Sequence, residues 1–286
     1  MVLCTILYSL HTCLVRQFKI LYHSSISSDL IVCYQYLISI VILLPFVLSN
    51  VSSVKSFITQ GRLSYFLTRC VMIFTSTLSW FYALSKVPAV NCIAISCMTP
   101  IFILLLAKIS LNEKLNKEII VLAIAAFAGA MIIISPNFKQ FDSASFFPIF
   151  TSFLWALNSV FTKKYLSPRG SSIAIFFTTA IVLSLIALPY VLIKKHTINI
   201  EQLLYLTIVT LVFDMANILL IWVFSRGKIS LVAPFDFLRV VFTTILSSLM
   251  LNDTIGSNSI FGIVVILVAN SLATIYGQKA KKVAVA

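Results

Sequence analysis

Acidic residues are scarce in this chain: eight Asp and Glu stand against 21 Lys and Arg, charge of either sign occupies 10% of the 286 positions, and there are seven glycines and three histidines. An ordinary soluble domain is roughly one-quarter charged. A chain this poor in charge and 60% hydrophobic has too little polar surface to cover a soluble fold. Catalytic signatures are missing as well. His11, His23 and His196 are scattered, no H-E-x-x-H or G-x-S-x-G run occurs, and no paired acids stand at metal-ligand spacing. An intramembrane enzyme would therefore lack its nucleophile, base or metal set, and we expect no catalytic activity, no metal and no cofactor. Cys4, Cys13, Cys33, Cys70, Cys92 and Cys97 form no C-x-x-C pair and lie in apolar segments, which suits packing rather than disulfides or metal ligation. The repeated short filter motif of a channel is absent too.

What the chain has is long hydrophobic runs. A bilayer core needs about 20 mostly apolar residues per helix, and the polar breaks leave ten candidate spans near 2–17, 28–48, 64–84, 88–108, 116–134, 145–164, 171–193, 202–224, 230–251 and 257–276. These runs are too long, and alternate too little, to be strands of an outer-membrane barrel. The expectation is an all-α polytopic membrane protein. The opening run lacks a basic n-region and an A-x-A cleavage site, so it reads as a short first span rather than a signal peptide.

The net charge of +13 would point to nucleic acid in a soluble chain. Here it sorts by side of the membrane. Connectors on one side hold Lys55, Arg62, Lys108, Lys114, Lys117, Lys163, Lys164, Arg169, Arg226, Lys228, Lys279, Lys281 and Lys282, thirteen in all, against six on the other, Arg16, Lys19, Lys86, Lys139, Lys194 and Lys195. The positive-inside rule then puts both termini in the cytoplasm of a bacterial inner membrane. The lipid bilayer is the expected partner and nucleic acid is not, because no basic face interleaved with aromatics lies outside the membrane.

The chain also repeats itself. "ILYSLHTCLVRQF" (6–18) matches "FLWALNSVFTKKY" (153–165) at an offset of 147, pairing Tyr8 with Trp155, His11 with Asn158, Thr12 with Ser159 and Arg16 with Lys163. At an offset of 140, Tyr82 matches Trp222, Lys86 matches Arg226, Phe102 matches Phe242, and "LNE" (111–113) matches "LND" (251–253). Two five-helix units, 1–141 and 142–286, must cross the membrane in opposite senses because five is odd. Such inverted repeats belong to transporters, with a site near the midplane where the halves meet.

These residues carry a family likeness. "TPIFILLLAKISLNEKL" (99–115) followed by a span with Gly129, and "LMLNDTI" followed by a span with Gly262, resemble the EamA-type branch of the drug/metabolite transporter superfamily over nearly the whole chain. The resemblance implies a ten-helix secondary transporter of small metabolites, coupled to an ion or proton. Three departures are Val240 where the first half has Pro100, Asp253 instead of Glu, and the short first span. The bias toward Ile, Phe, Lys, Asn and Ser, with few Gly, points to an AT-rich genome, as in host-dependent bacteria. In the resembled superfamily such bacteria are associated with S-adenosylmethionine uptake. Export of an amino acid or drug is the alternative.

A charge near a helix centre costs about 2.5 to 3.5 kcal/mol on insertion scales, so such residues usually face the bundle interior. Asp236 and Arg239 share the ninth span three positions apart. They are expected on one helix face, either as a self-contained ion pair or as a dipolar site taking the ammonium and carboxylate of a zwitterion. The repeat matches them to Ser96 and Thr99, beside Pro100, whose missing N–H should leave the Ser96 carbonyl free. His11 and Asn158, equivalent and polar in apolar surroundings, and the aromatic Trp80 complete the candidate substrate site. Asp214 has no Lys or Arg within a turn, and burial disfavours a charged carboxylate, so it is either a proton-coupling residue or a hydrogen-bonded link between helices. Arg69, near the start of its span, is expected to snorkel to the headgroups. Glu113 and Asp253 are expected to cap the fifth and tenth spans.

Overall fold

In hydrocarbon each backbone N–H and C=O must be satisfied within its own segment, and the apolar runs accordingly form helices. The computed structural model describes residues 1–22, 28–48, 63–87, 89–113, 117–134, 143–168, 170–194, 198–253 and 256–283, among which there is no strand. The helices are α1 (Val2–Leu21), α2 (Ser28–Leu48), α3 (Leu63–Lys86), α4 (Ala89–Ser96), α5 (Thr99–Leu111), α6 (Lys117–Ile134), α7 (Phe146–Phe161), α8 (Ser172–Lys194), α9 (Ile200–Arg226), α10 (Ile229–Val232), α11 (Leu238–Leu251) and α12 (Ser257–Val283). Eight helical stretches among the described residues are long and apolar enough to cross a membrane. The helices at the expected first and third spans, α1 and α3, fall outside those eight because they carry polar residues. Those residues point inward: Thr5 and Ser9 of α1 and Arg69, Ser76 and Ser79 of α3 are buried.

Two expected spans are interrupted. The fourth divides at Cys97–Met98 into α4 and α5, with Pro100 in the first turn of α5, where its missing N–H costs nothing. The ninth divides into α10, a 3-10 turn over Ala233–Phe237 that contains Pro234, and α11. The two breaks lie in equivalent places at the offset of 140.

Both segments also stop alike. Asn112 (φ 52°) and Asn252 (φ 55°) are the only non-glycine residues with positive φ among the described residues. Each adopts the left-handed conformation that ends a helix, which Asn tolerates better than other side chains. The following N–H groups, of Glu113 and Asp253, donate to the carbonyls of Ala107 and Ser247 at 3.3 and 3.4 Å, again 140 residues apart.

Packing joins the two halves. Helix α6 lies along α12, α2 along α8, α1 against α9 and α11, and α7 against α3 and α5. Gly129 and Gly262 make the α6–α12 contact close. A Cβ on Gly262 would stand 2.6 Å from the Gly129 carbonyl oxygen, and one on Gly129 would stand 3.0 Å from the Gly262 oxygen. Small residues of this kind let membrane helices pack backbone to backbone. Around the seam, Ala123, Ala126, Ala130, Phe237, Val241 and Ile266 form one apolar core.

Candidate functional site

Asp236 lies in the 3-10 turn and Arg239 in the first turn of α11. The expected self-contained ion pair is absent. Among the described residues the only salt bridges are Arg16 with Asp253 and Lys163 with Glu113, and neither the Asp236 carboxylate nor the Arg239 guanidinium has a hydrogen-bond partner. A 3-10 turn eclipses residues i and i+3 but rises about 2.0 Å per residue against about 1.5 Å in an α-helix, so sharing a face does not by itself close the pair. The Arg239 guanidinium instead lies over the Tyr8 ring, 5.0 Å from its centroid, and the Arg239 carbonyl accepts a 2.9 Å bond from Ser9. Tyr8 is buried and donates to Asn217 Oδ1 at 3.0 Å. The result is an acid and a base beside an aromatic ring, near enough for their charges to interact but without a salt bridge among the described residues.

Ser96 and Thr99 sit at the matching break in the first half. The Ser96 carbonyl, expected to be free, accepts a 2.8 Å bond from the Thr99 hydroxyl, and the Ser96 hydroxyl donates to Ile93 at 2.7 Å. The break thus satisfies itself locally, and both hydroxyls keep only acceptor capacity.

Arg69 corrects a second expectation. It does not snorkel: it is 5% exposed and donates through Nε to Thr179 (3.1 Å) and through Nη1 to Asn158 Oδ1 (3.0 Å) and Thr162. Thr162 opens a π-helical turn, Thr162–Leu166, that ends α7. The wider turn also presents Lys163, which donates to Glu113 at 2.6 Å and to the Gly227 carbonyl at 2.5 Å. Among the described residues Glu113 caps a distant helix, not the one that follows it. Its carboxylate accepts the N–H groups of Ile229 (3.1 Å) and Ser230 (3.0 Å) and the Ser230 hydroxyl (2.5 Å), which fastens the start of α10. Burial raises its pKa, but the hydrogen bonds from Lys163 and Ser230 outweigh burial and hold it below the ordinary glutamate range. Asp253 likewise goes to Arg16 in a bidentate pair, and that bond holds its pKa below the ordinary aspartate range.

The EamA-like transporter family matches residues 1–135 and 143–275, most of the chain. This protein belongs to that family. Relatives of this EamA-like protein include an S-adenosylmethionine uptake transporter of Rickettsia bellii, 27% identical over 86% of this chain and 83% of the relative. The corresponding protein of Rickettsia prowazekii is 25% identical over 86% and 82%. A riboflavin transporter of Brucella anthropi is 32% identical over 49% of this chain and 48% of its own. One solved crystal structure superposes with a TM-score of 0.82 at 13% identity, covering 97% and 96% of the two chains, which establishes a shared fold.

The remaining expected site residues of this EamA-like protein are dispersed. Asn158 is buried and committed to Arg69. Its sequence equivalent, His11, pairs with Gln35 at 2.8 Å and packs its ring 5.0 Å from that of Phe213. Trp80 packs near Ala83, Val87, Cys92 and Ala144. Asp214 is 2% exposed, accepts a 2.6 Å bond from Ser39 of α2 through Oδ1, and has a buried Oδ2 with no partner among the described residues. Sequence reasoning passed over Tyr8 and Asn217, which had no charge to mark them. It placed Arg69 wrongly although a signal existed: Arg69, Ile73, Ser76 and Ala83 recur at spacings of four, three and seven and all are buried, so one helical face carries the arginine inward.

Proposed function

We propose that this protein is a secondary transporter that carries a small zwitterionic metabolite across the bacterial inner membrane by alternating access, with Asp236 and Arg239 as the dipolar part of its site. The observation that carries this reading is that these two residues, near enough for their charges to interact, form no salt bridge with each other or with any other described residue. A carboxylate and a guanidinium at mid-span each cost several kcal/mol in hydrocarbon, and they stand three positions apart without closing on each other. An incoming ammonium and carboxylate would supply the missing partners. S-adenosylmethionine fits this chemistry: it offers an ammonium, a sulfonium, a carboxylate and a stackable adenine, and relatives covering most of the chain are named for its uptake. Asp214 is the proton-coupling candidate, its Oδ2 having no partner among the described residues.

Ten spans in two inverted units, 1–141 and 142–286, with both termini cytoplasmic, make up the proposed architecture. Its support is the offset of 140 that relates the two helix breaks and the two left-handed Asn stops. In that arrangement Lys163–Glu113 and Arg16–Asp253 occupy opposite faces. Each joins one half to the other, so opening toward either side separates one pair.

Uptake of radiolabelled S-adenosylmethionine into cells expressing the chain tests the reading, with S-adenosylhomocysteine, amino acids and riboflavin as competitors. Saturable uptake blocked by the close analogue is the expected result. Uptake no greater than in empty-vector cells, with the protein confirmed in the membrane, rejects this substrate and brings amino-acid or drug export forward.

A further inference from the structure

A cavity of about 20 Å³ lies against Arg69 and is lined by Trp155, Asn158, Ser159, Thr162 and Asn217 among others. It is too small for a metabolite and large enough for one water or one ion of similar size. Its unspent hydrogen-bonding capacity lies mostly on the donor side. Arg69 spends Nε and Nη1 on three neutral acceptors, and its Nη2 has no hydrogen-bond partner among the described residues. The same holds for the Nδ2 group of Asn158, the indole N–H of Trp155 and the proton of the Thr162 hydroxyl. Each amide oxygen already accepts one bond, Asn158 Oδ1 from Arg69 and Asn217 Oδ1 from Tyr8, and the Ser159 hydroxyl spends its proton on the Trp155 carbonyl. Among the described residues no carboxylate lies within 4.0 Å of Arg69. Donors converge on the cavity around a buried positive charge that no acidic side chain balances, and a buried charge is costly unless it is paired.

We propose that the Arg69 cavity is a binding site for a single chloride-sized monovalent anion, adjoining the Asp236 and Arg239 site through Asn217 and Tyr8 and independent of which metabolite is carried. The ion would accept from Arg69 Nη2 and the neighbouring neutral donors, balancing the guanidinium where α3, α7 and α8 meet. It would hold the α7 π-helical turn, which also carries Lys163, in a fixed relation to α3.

Trp155 reports on the site directly. In the full chain reconstituted in lipid nanodiscs, with Trp80→Phe and Trp222→Phe leaving Trp155 as the sole tryptophan, bromide is titrated against gluconate at constant ionic strength. The expected result is quenching that saturates and that chloride reverses. Thr162→Val, which keeps the arginine but removes a donor, should weaken bromide on the order of tenfold, and Arg69→Gln should abolish the saturable phase. Quenching that rises linearly with bromide and ignores chloride would mean the cavity holds only water and would overturn the proposal. Competition by acetate but not by chloride would overturn it in favour of a carboxylate subsite.

Discussion

Lys163 and Glu113 meet with side chains 17% and 9% exposed, whereas Arg16 and Asp253, their counterparts at offsets of 147 and 140, meet at 54% and 36%. The inner pair also receives two backbone N–H groups and a hydroxyl from the start of α10. The outer pair is a bidentate contact largely in solvent. Equivalent sequence positions have thus been built into a partly buried network in one case and a screened surface bridge in the other. Exposed pairs contribute about 0–1 kcal/mol, while breaking a buried network leaves its remaining charge and donors unsatisfied. Separating Lys163 from Glu113 should therefore cost more than separating Arg16 from Asp253.

The largest effect is expected from Glu113→Gln, which removes the charge facing Lys163 and one acceptor of the α10 N–H groups. It should cost about 2–4 kcal/mol in thermal unfolding of the detergent-solubilised protein. Charge exchange sharpens the contrast. The double variant Arg16→Asp with Asp253→Arg should regain nearly all of what either single change loses. Glu113→Lys with Lys163→Glu should not, because a lysine cannot accept the N–H groups of Ile229 and Ser230. Full rescue of both would show that the two pairs are alike. Gly129→Ala and Gly262→Ala test whether the asymmetry extends to the seam. Each puts a Cβ at or under 3.0 Å from the other's carbonyl oxygen, so both should cost about 1–3 kcal/mol, measured by the same melts.

Acidification gives a smaller, graded effect with a definite sign. Glu113 is held below the ordinary glutamate value, so its contribution is complete above the unfolded-state pKa of about 4.3. It is lost as pH falls through the lower folded-state value. Melting temperature should drop in that window for the wild type and stay flatter in Glu113→Gln. The smallest effect is expected from Asp253→Asn, within about 1 kcal/mol and suppressed by salt.

The helical membrane architecture was legible from apolar run length, and the equivalences of Arg16 with Lys163 and of "LNE" with "LND" were legible from the repeat. Their pairing was not, because it is a contact between halves and sequence offsets carry no distances. Asp236 and Arg239 could be singled out because charge is expensive in hydrocarbon, yet the placing of the Arg239 guanidinium over Tyr8 is a contact between helices, and the 3-10 turn over Ala233–Phe237 is a local backbone choice that Pro234 only hints at. Arg69 was misplaced because nearness to a helix end was weighed above helical phase, and phase turned it inward. The cap assigned to Glu113 went to α10 rather than to its own helix because folding brings that helix start within reach, which no local pattern can state.

The dipolar site is tested most directly by comparing how S-adenosylmethionine and its decarboxylated analogue compete for uptake or binding, in the wild type and in Arg239→Gln. If the Arg239 guanidinium receives the substrate carboxylate, the wild type should prefer the carboxylated compound by about tenfold or more, and Arg239→Gln should lose that preference while still taking up the analogue. An undiminished preference in Arg239→Gln would contradict the assignment.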